Sequence, residues 1–266
     1  VKEMAELLSP NAAKKIDLSI MPGHKMYHPQ LSLQQVSAQY PEEVDQWSGS
    51  SHALAGVNCG GCHSNEVSNS WIEKPEIEQC KTCHVNEAKG FTQGKHGMRL
   101  AQKLPAISSS ETSALAFKQQ TAHTEQGCNS CHSAHAFDTR YAAKEACLTC
   151  HNDEHSLAFD TSPHGQLFAQ LSARQLAEEN AVSCATCHMP SIKETIAGET
   201  VVAVQHNQND NLRPNEKMIR PICMQCHSLE FSIDALADEN LIKNNFSGKP
   251  GKHIPSIDWA IKRAKE

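Results

Sequence analysis

The sequence predicts a mainly helical fold with little regular structure, threaded on a stacked chain of covalently attached cofactors. Three observations predict it. The pattern Cys-x-x-Cys-His occurs six times, as Cys59/Cys62/His63, Cys80/Cys83/His84, Cys128/Cys131/His132, Cys147/Cys150/His151, Cys184/Cys187/His188 and Cys223/Cys226/His227, and uses all 12 cysteines. The motifs crowd together, with Cys59 and Cys80 21 positions apart and Cys128 and Cys147 only 19 apart. Aromatic residues make up only 5% of the 266 residues, too few for an ordinary core of this length.

The motif has a physical logic. Residues i, i+3 and i+4 share one face of a helical turn, so two thiols reach the vinyl groups of one porphyrin while the imidazole meets its iron. This is the attachment signal of c-type haem, and histidine is a standard iron ligand. Zinc sites reuse Cys-x-x-Cys and disulfide frameworks use even cysteine counts, but neither explains the fifth residue. With 16 histidines in 266 residues, chance places one after a given pair only about 6% of the time. Six haem c groups are therefore expected, roughly one per 44 residues, and much of the apolar interior is expected to be macrocycle.

Thioether attachment takes place outside the cytoplasm, and no charged-then-apolar leader opens the sequence at Val1, so the chain is expected to be a mature, exported protein, periplasmic or extracellular. No apolar run reaches the roughly 20 residues of a membrane-spanning helix. The formal charge is −6, and ionised propionates on six ferric haems would bring it to about −12. That acidity argues against nucleic-acid binding and for redox partners with basic surfaces.

Residues 1–50 are expected to form a cysteine-free N-terminal arm, 51–245 the hexahaem domain and 246–266 a C-terminal extension. Short helices are expected at Glu3 to Leu8 and Leu31 to Gln39, between Pro10, Pro22, Pro29 and Pro41. His24 and His28 are surface histidines or ligands in this or a neighbouring subunit. His52, shortly before Cys59, is a distal-ligand candidate. His96 follows, in Gly94-Lys95-His96-Gly97, where the glycines are expected to let the imidazole approach a porphyrin.

The Ser108 to Glu111 cluster is expected to cap a helix through Ala114 to Gln120; His123 beyond it has an open role. His135 cannot turn back to the iron of His132 but can reach an adjacent haem. His155 is ligand, acid/base or solvent-exposed group. His164, in Ser162-Pro163-His164-Gly165, repeats the histidine-before-glycine pattern and opens an amphipathic helix with Leu167, Phe168, Leu171, Leu176 and Ala177 near one face. A small hairpin over 194–204 delivers His206. Ser228 to Lys243 is expected to be helical, and so is the basic end from Ile257 to Lys265; His253 between them is unassigned. The acidic arm with His24 and His28, pairing head to tail with Lys262, Arg263 and Lys265, would build a filament.

The order of the motifs resembles the hydroxylamine oxidoreductase superfamily, whose relatives include octahaem reductases and the pentahaem ammonia-forming nitrite reductase. The matching strings are Gly94 to Gly97, Cys128 to His135, Ala146 to His155, Ser162 to Gly165, Cys184 to Pro190, His206-Asn207 and Arg220 to Ser228. The resemblance implies a multihaem cytochrome c in which the Cys128/Cys131/His132 haem is the catalytic one, its distal side open. His155 would then stand above that haem, Glu154 would occupy the place of a family Asp, and His52, His96, His135, His164 and His206 would be distal ligands of the other five. The chain departs from the family in its haem number, in ending before the long trimerising helices, and in lacking a C-terminal crosslinking tyrosine or a lysine-ligated motif.

Two functions stay open, with an electron carrier favoured. In that reading mostly or wholly bis-histidine haems pass single electrons between redox partner proteins or other copies of the chain. The alternative is a reductase of small nitrogen or sulfur oxyanions, such as nitrite or hydroxylamine, at an open Cys128/His132 haem, with His155 supplying protons and Glu154 orienting it.

Overall fold

The computed structural model describes residues 28–65, 68, 70–108, 110, 116–172, 181–196 and 199–264. It is mainly helical, with short helices and, among the described residues, one two-stranded antiparallel sheet. The chain divides into two compact units, Val1–Ala88 with Gly127–Ala142, and Lys89–Gln126 with Ala143–Glu266. The 51–245 segment expected as one haem domain thus contributes to both, three motifs to each. Among the described residues no helix is long and apolar enough to cross a membrane.

In the first unit, the helix expected from Leu31 begins at Leu33 and runs to Gln39. Ser32 starts it with a capping box, its Oγ accepting the Gln35 N–H while the Gln35 side chain accepts the Ser32 N–H. Pro41 opens the next helix, Pro41–Ser48, where its fixed φ and missing N–H cost nothing. That helix buries Trp47, whose Nε1–H donates to the Val57 carbonyl at 2.9 Å and so ties it to the chain entering Cys59. Ser50 caps the turn Ser51–Leu54 that carries His52. The arm's Glu3–Leu8 helix and His24 lie outside the described residues.

The second unit carries the hairpin, Ser191–Ile196 paired with Glu199–Val204 in a register from Ser191↔Val204 to Ile196↔Glu199. Helix Pro163–Ser172 packs Phe168 against Phe159, both buried. Gly165 is required there by backbone rather than by a porphyrin, because a Cβ would lie 1.9 Å from the Phe159 carbonyl oxygen. Gly97 likewise meets Phe91, with 2.4 Å from a Cβ to the Phe91 oxygen. Leu176 and Ala177 lie outside the described residues.

Two expected helices differ. The described part of the Ala114 to Gln120 segment is extended and then 3-10 at Gln119–Thr121, because its backbone pairs elsewhere: the Lys118 N–H donates to the Cys150 oxygen at 2.8 Å and the Asn152 N–H to the Ala116 oxygen at 2.9 Å. The Ser228 to Lys243 helix is two, Leu229–Ala237 and Glu239–Lys243, because Asp238 leaves helical geometry and caps the second with its side chain.

His253 fastens the last helix, Pro255–Ala264. Its Nδ1 lies 2.8 Å from Asp234 Oδ2 and its Nε2 2.8 Å from Asp258 Oδ2, while the Ile254 N–H donates to Asp234 Oδ1. Hydrogen bonds to Asp234 and then Asp258 push the imidazole up to about 9. A group raised in the folded state stabilises fully below its unfolded value, about 6.5 for histidine, and loses that contribution as pH rises through the folded value. Native-state hydrogen exchange at the amides of Pro255–Ala264 is therefore expected to show protection falling between pH 6.5 and about 9, and His253→Gln is expected to abolish that pH dependence.

Candidate haem sites

Every motif is built on a single tight turn. Cys59–His63, which includes Cys62, and Cys184–His188, which includes Cys187, are α-helical, and Cys147 and Cys150 lie in Glu145–Cys150. The other three depart from the helical turn expected through the second cysteine. Cys83 lies two residues beyond the helix Ile77–Lys81 that holds Cys80, and Cys131 and Cys226 terminate the 3-10 turns Cys128–Ser130 and Cys223–Gln225. The reason is in the backbone bonding, which tightens to three-residue spacing there: the N–H groups of Cys83, Cys131 and Cys226 donate to the carbonyls of Cys80, Cys128 and Cys223 at 3.2, 3.3 and 3.2 Å. In the four motifs that extend past their helix, the histidine N–H donates to the first cysteine's carbonyl at 2.9 Å, at His84, His132, His151 and His227. Both thiols and the imidazole are thereby still held on one face.

Burial of the second cysteines is uneven. Cys62 and Cys131 are half-buried, but Cys83 and Cys226 are exposed. Their turns stand at the surface of their units, where the neighbouring His84 and Gln225 are exposed too.

Five motif histidines face a second histidine from elsewhere in the same unit. Ring centroids are 5.9 Å apart for His52 and His84, 6.1 Å for His63 and His135, 6.3 Å for His96 and His151, 6.1 Å for His155 and His188, and 6.1 Å for His164 and His227. An imidazole nitrogen lies about 1.2 Å from its ring centre and bonds a metal at about 2.0 Å, so two imidazoles on opposite sides of one ion hold their centroids about 6.3 Å apart. The donor sets fit a haem attached at each of these motifs' cysteines, whose iron the two histidines would hold.

The electrostatics agree. A metal binds the neutral imidazole, and protonation competes with it. Burial first, then the facing histidine, push His52, His96, His135 and His164 below the usual imidazole range. His188 is pushed down to about 4, by burial and then by His155.

Local structure aims several of these rings. His135 has a φ of 66° and Phe137 a φ of 48°, a left-handed turn that is uncommon without glycine and turns His135 to His63 rather than along its own strand of chain. Phe137 packs edge-on against His52 at 4.3 Å, and Trp71 stacks on His63 at 4.6 Å. The Nδ1 atoms of His63, His155 and His206 sit 2.7, 2.6 and 2.8 Å from the carbonyls of Ile72, Ile242 and Val204. Such a bond fixes tautomer and ring orientation and leaves Nε2 for a metal.

The remaining expected residues fall as follows. His155 stands opposite His188, and Asn245 Nδ2 donates to its backbone oxygen at 3.0 Å. Glu154 is not gathered to that ring: its carboxylate is 77% exposed and 3.8 Å from Lys243 Nζ. His28 leans on Trp71 and its Nδ1 accepts the Gln30 N–H. His253 belongs to the carboxylate clamp. Sequence reasoning missed Trp71, Phe137 and Asp153, although Asp153 was detectable as an N-cap.

The sulfurs also connect motifs within each unit. Cys128 pushes the Cys80 thiol down and Cys147 does the same to Cys184, while Cys223 adds to the burial that pushes Cys187 up. Phe246 stands edge-on to His155 at 6.1 Å and tilted to His164 at 6.3 Å.

The six motifs carry the attachment pattern of c-type cytochromes, and comparison with known proteins supports that class. The model of a family described as cytochrome c554 and c-prime matches residues 79–145. The cytochrome c nitrite reductase subunit NrfA of Nitratidesulfovibrio vulgaris (strain Hildenborough) is 26% identical over 80 residues, which cover 26% of this chain and 15% of that protein. These matches support a multihaem cytochrome c that binds haem c.

Proposed function

We propose that the chain is an exported six-haem cytochrome c that relays single electrons between redox partner proteins or other copies of itself. The reading is carried by the five facing histidine pairs, each joining a motif histidine to a second histidine at 5.9–6.3 Å. Bis-histidine iron has both axial positions filled, so it exchanges electrons without binding a substrate. The thiol contacts between Cys80 and Cys128, and between Cys147 and Cys184, would bring the edges of consecutive haems together. The exposed Cys83 and Cys226, one in each unit, would hold haem edges at the surface, where a partner can exchange electrons with them. His206, its ring oriented by Val204, is a further ligand in this reading, and the acidic charge suits partners with basic docking surfaces.

Similarity to a nitrite reductase favours a second reading, reduction of nitrite or hydroxylamine at an open Cys128/Cys131/His132 haem. One set of measurements separates the two. The relay reading expects an intact mass above the 29.2 kDa polypeptide by six haems that survive denaturation, a wholly low-spin spectrum, and no carbon monoxide binding by the reduced protein. Carbon monoxide binding at one haem, with nitrite or hydroxylamine turnover, establishes the reductase instead.

A further inference from the structure

Behind the ring of His151 stands a carboxylate that belongs to no haem motif. Asp153 caps the helix Glu154–Leu157, its Oδ1 accepting the Ser156 backbone N–H at 3.0 Å and its Oδ2 the Ser156 hydroxyl at 2.8 Å. Those bonds hold Oδ2 3.6 Å from His151 Nδ1, with His151 and Asp153 only 23% and 20% exposed. The ring is itself confined: Phe117 lies at 5.2 Å, the flanking backbone is bonded to Ala116 and Lys118, and His96 faces it at 6.3 Å. With Nδ1 turned to Asp153, Nε2 is the nitrogen left for iron.

The partner behind a ligating imidazole tunes its basicity. A neutral carbonyl backs His63 and His155, from Ile72 and Ile242. A carboxylate carries a full negative charge, and partial burial keeps water from screening it. Glu87 stands near His84, but 4.0 Å away and with that histidine 53% exposed, where solvent weakens the effect. Negative charge behind the ligand stabilises ferric over ferrous iron and lowers the reduction potential.

We infer that Asp153 is a positioning residue that sets the haem held by Cys147, Cys150, His151 and His96 at a lower potential than a neutral partner would give. The inference rests on the haem ligation proposed above and adds to it the sign of that haem's shift.

The test uses the holoprotein with Asp153→Asn and Asp153→Ser. Both replacements retain a good N-cap, so the helix start is kept while the charge is removed. Optical redox titration at fixed pH is expected to show one centre moved to higher potential in both, by about tenfold in its reduction equilibrium or about 59 mV for one electron. The centre that moves is expected to be the one displaced by His96→Met, since thioether ligation raises the potential of that same iron. If no centre moves, if one moves downward, or if the moved centre is not the one His96→Met displaces, the inference is overturned. Either charge-removing variant alone suffices should the other fail to fold. Haem count and spin state of the unsubstituted protein test the ligation separately: missing haem or a high-spin Cys147/Cys150 centre refutes that reading whatever the variants do.

Discussion

Replacing His155 with alanine is expected to leave the haem count unchanged while converting one low-spin haem, that on Cys184/Cys187, to a five-coordinate high-spin centre. The expectation follows from the 6.1 Å separation of His155 and His188 and from the Ile242 carbonyl that holds Nδ1, so that Nε2, 3.4 Å from Asn245 Nδ2, is the nitrogen that would take the iron. The altered iron is expected to bind carbon monoxide when reduced and to titrate at a changed potential. Magnetic circular dichroism of the variant beside the parent measures the spin change directly. A histidine acting as proton donor above another haem gives the opposite pattern, with spin states intact and any nitrite reduction diminished, so the two roles are separated in one experiment.

Trp47→Ala is expected to be the most destabilising of the simple truncations in the first unit, at about 3–5 kcal/mol for a buried tryptophan. Trp47 is 6% exposed, and its indole N–H satisfies the Val57 carbonyl just before the first motif. Alanine removes the packed ring and orphans that carbonyl together. Because Ser50 and His52 follow directly on the Trp47 helix, the variant is also expected to weaken the set of the His52 ring opposite His84. Denaturant unfolding followed in the haem band, with the His52-dependent signal as a second probe, checks both effects.

The six candidate attachment motifs were legible because their residues are contiguous: one turn contains both sulfurs and the first histidine. Whether that turn stays α-helical was not, since Cys62 and Cys83 occupy the same place in the pattern yet only Cys62 remains inside its helix. The hairpin near 194–204 and the helices near Leu31 to Gln39 and Ile257 to Lys265 were also readable, although they start at Ser191, Leu33 and Pro255. The partners of the motif histidines were not, because a facing pair is set by tertiary approach. His135 reaches His63 through two departures into left-handed backbone, at His135 and Phe137, that composition does not announce. His155 read as ligand, acid/base or solvent-exposed group, and the Ile242 carbonyl and His188 that stand around it come from distant parts of the chain. Residues 116–118 lie in the segment expected as helix, yet hydrogen bonds to the Cys150 and Asn152 backbone hold them extended.

The facing pairs also have an order along the chain. His52 precedes His84, His96 precedes His151, His155 precedes His188 and His164 precedes His227, whereas His135 comes after His63. On the proposed ligation, a chain crossing a membrane amino end first brings out four of these second ligands ahead of the motif they complete. Of the five, only a haem held at Cys59/Cys62 would lack its second histidine until the third motif and the turn at His135 had been delivered. A polypeptide arrested during translocation just after His132 would therefore be a different molecule from the finished one: a ligand-binding haem protein at its first site, closed only by the arrival of three more residues.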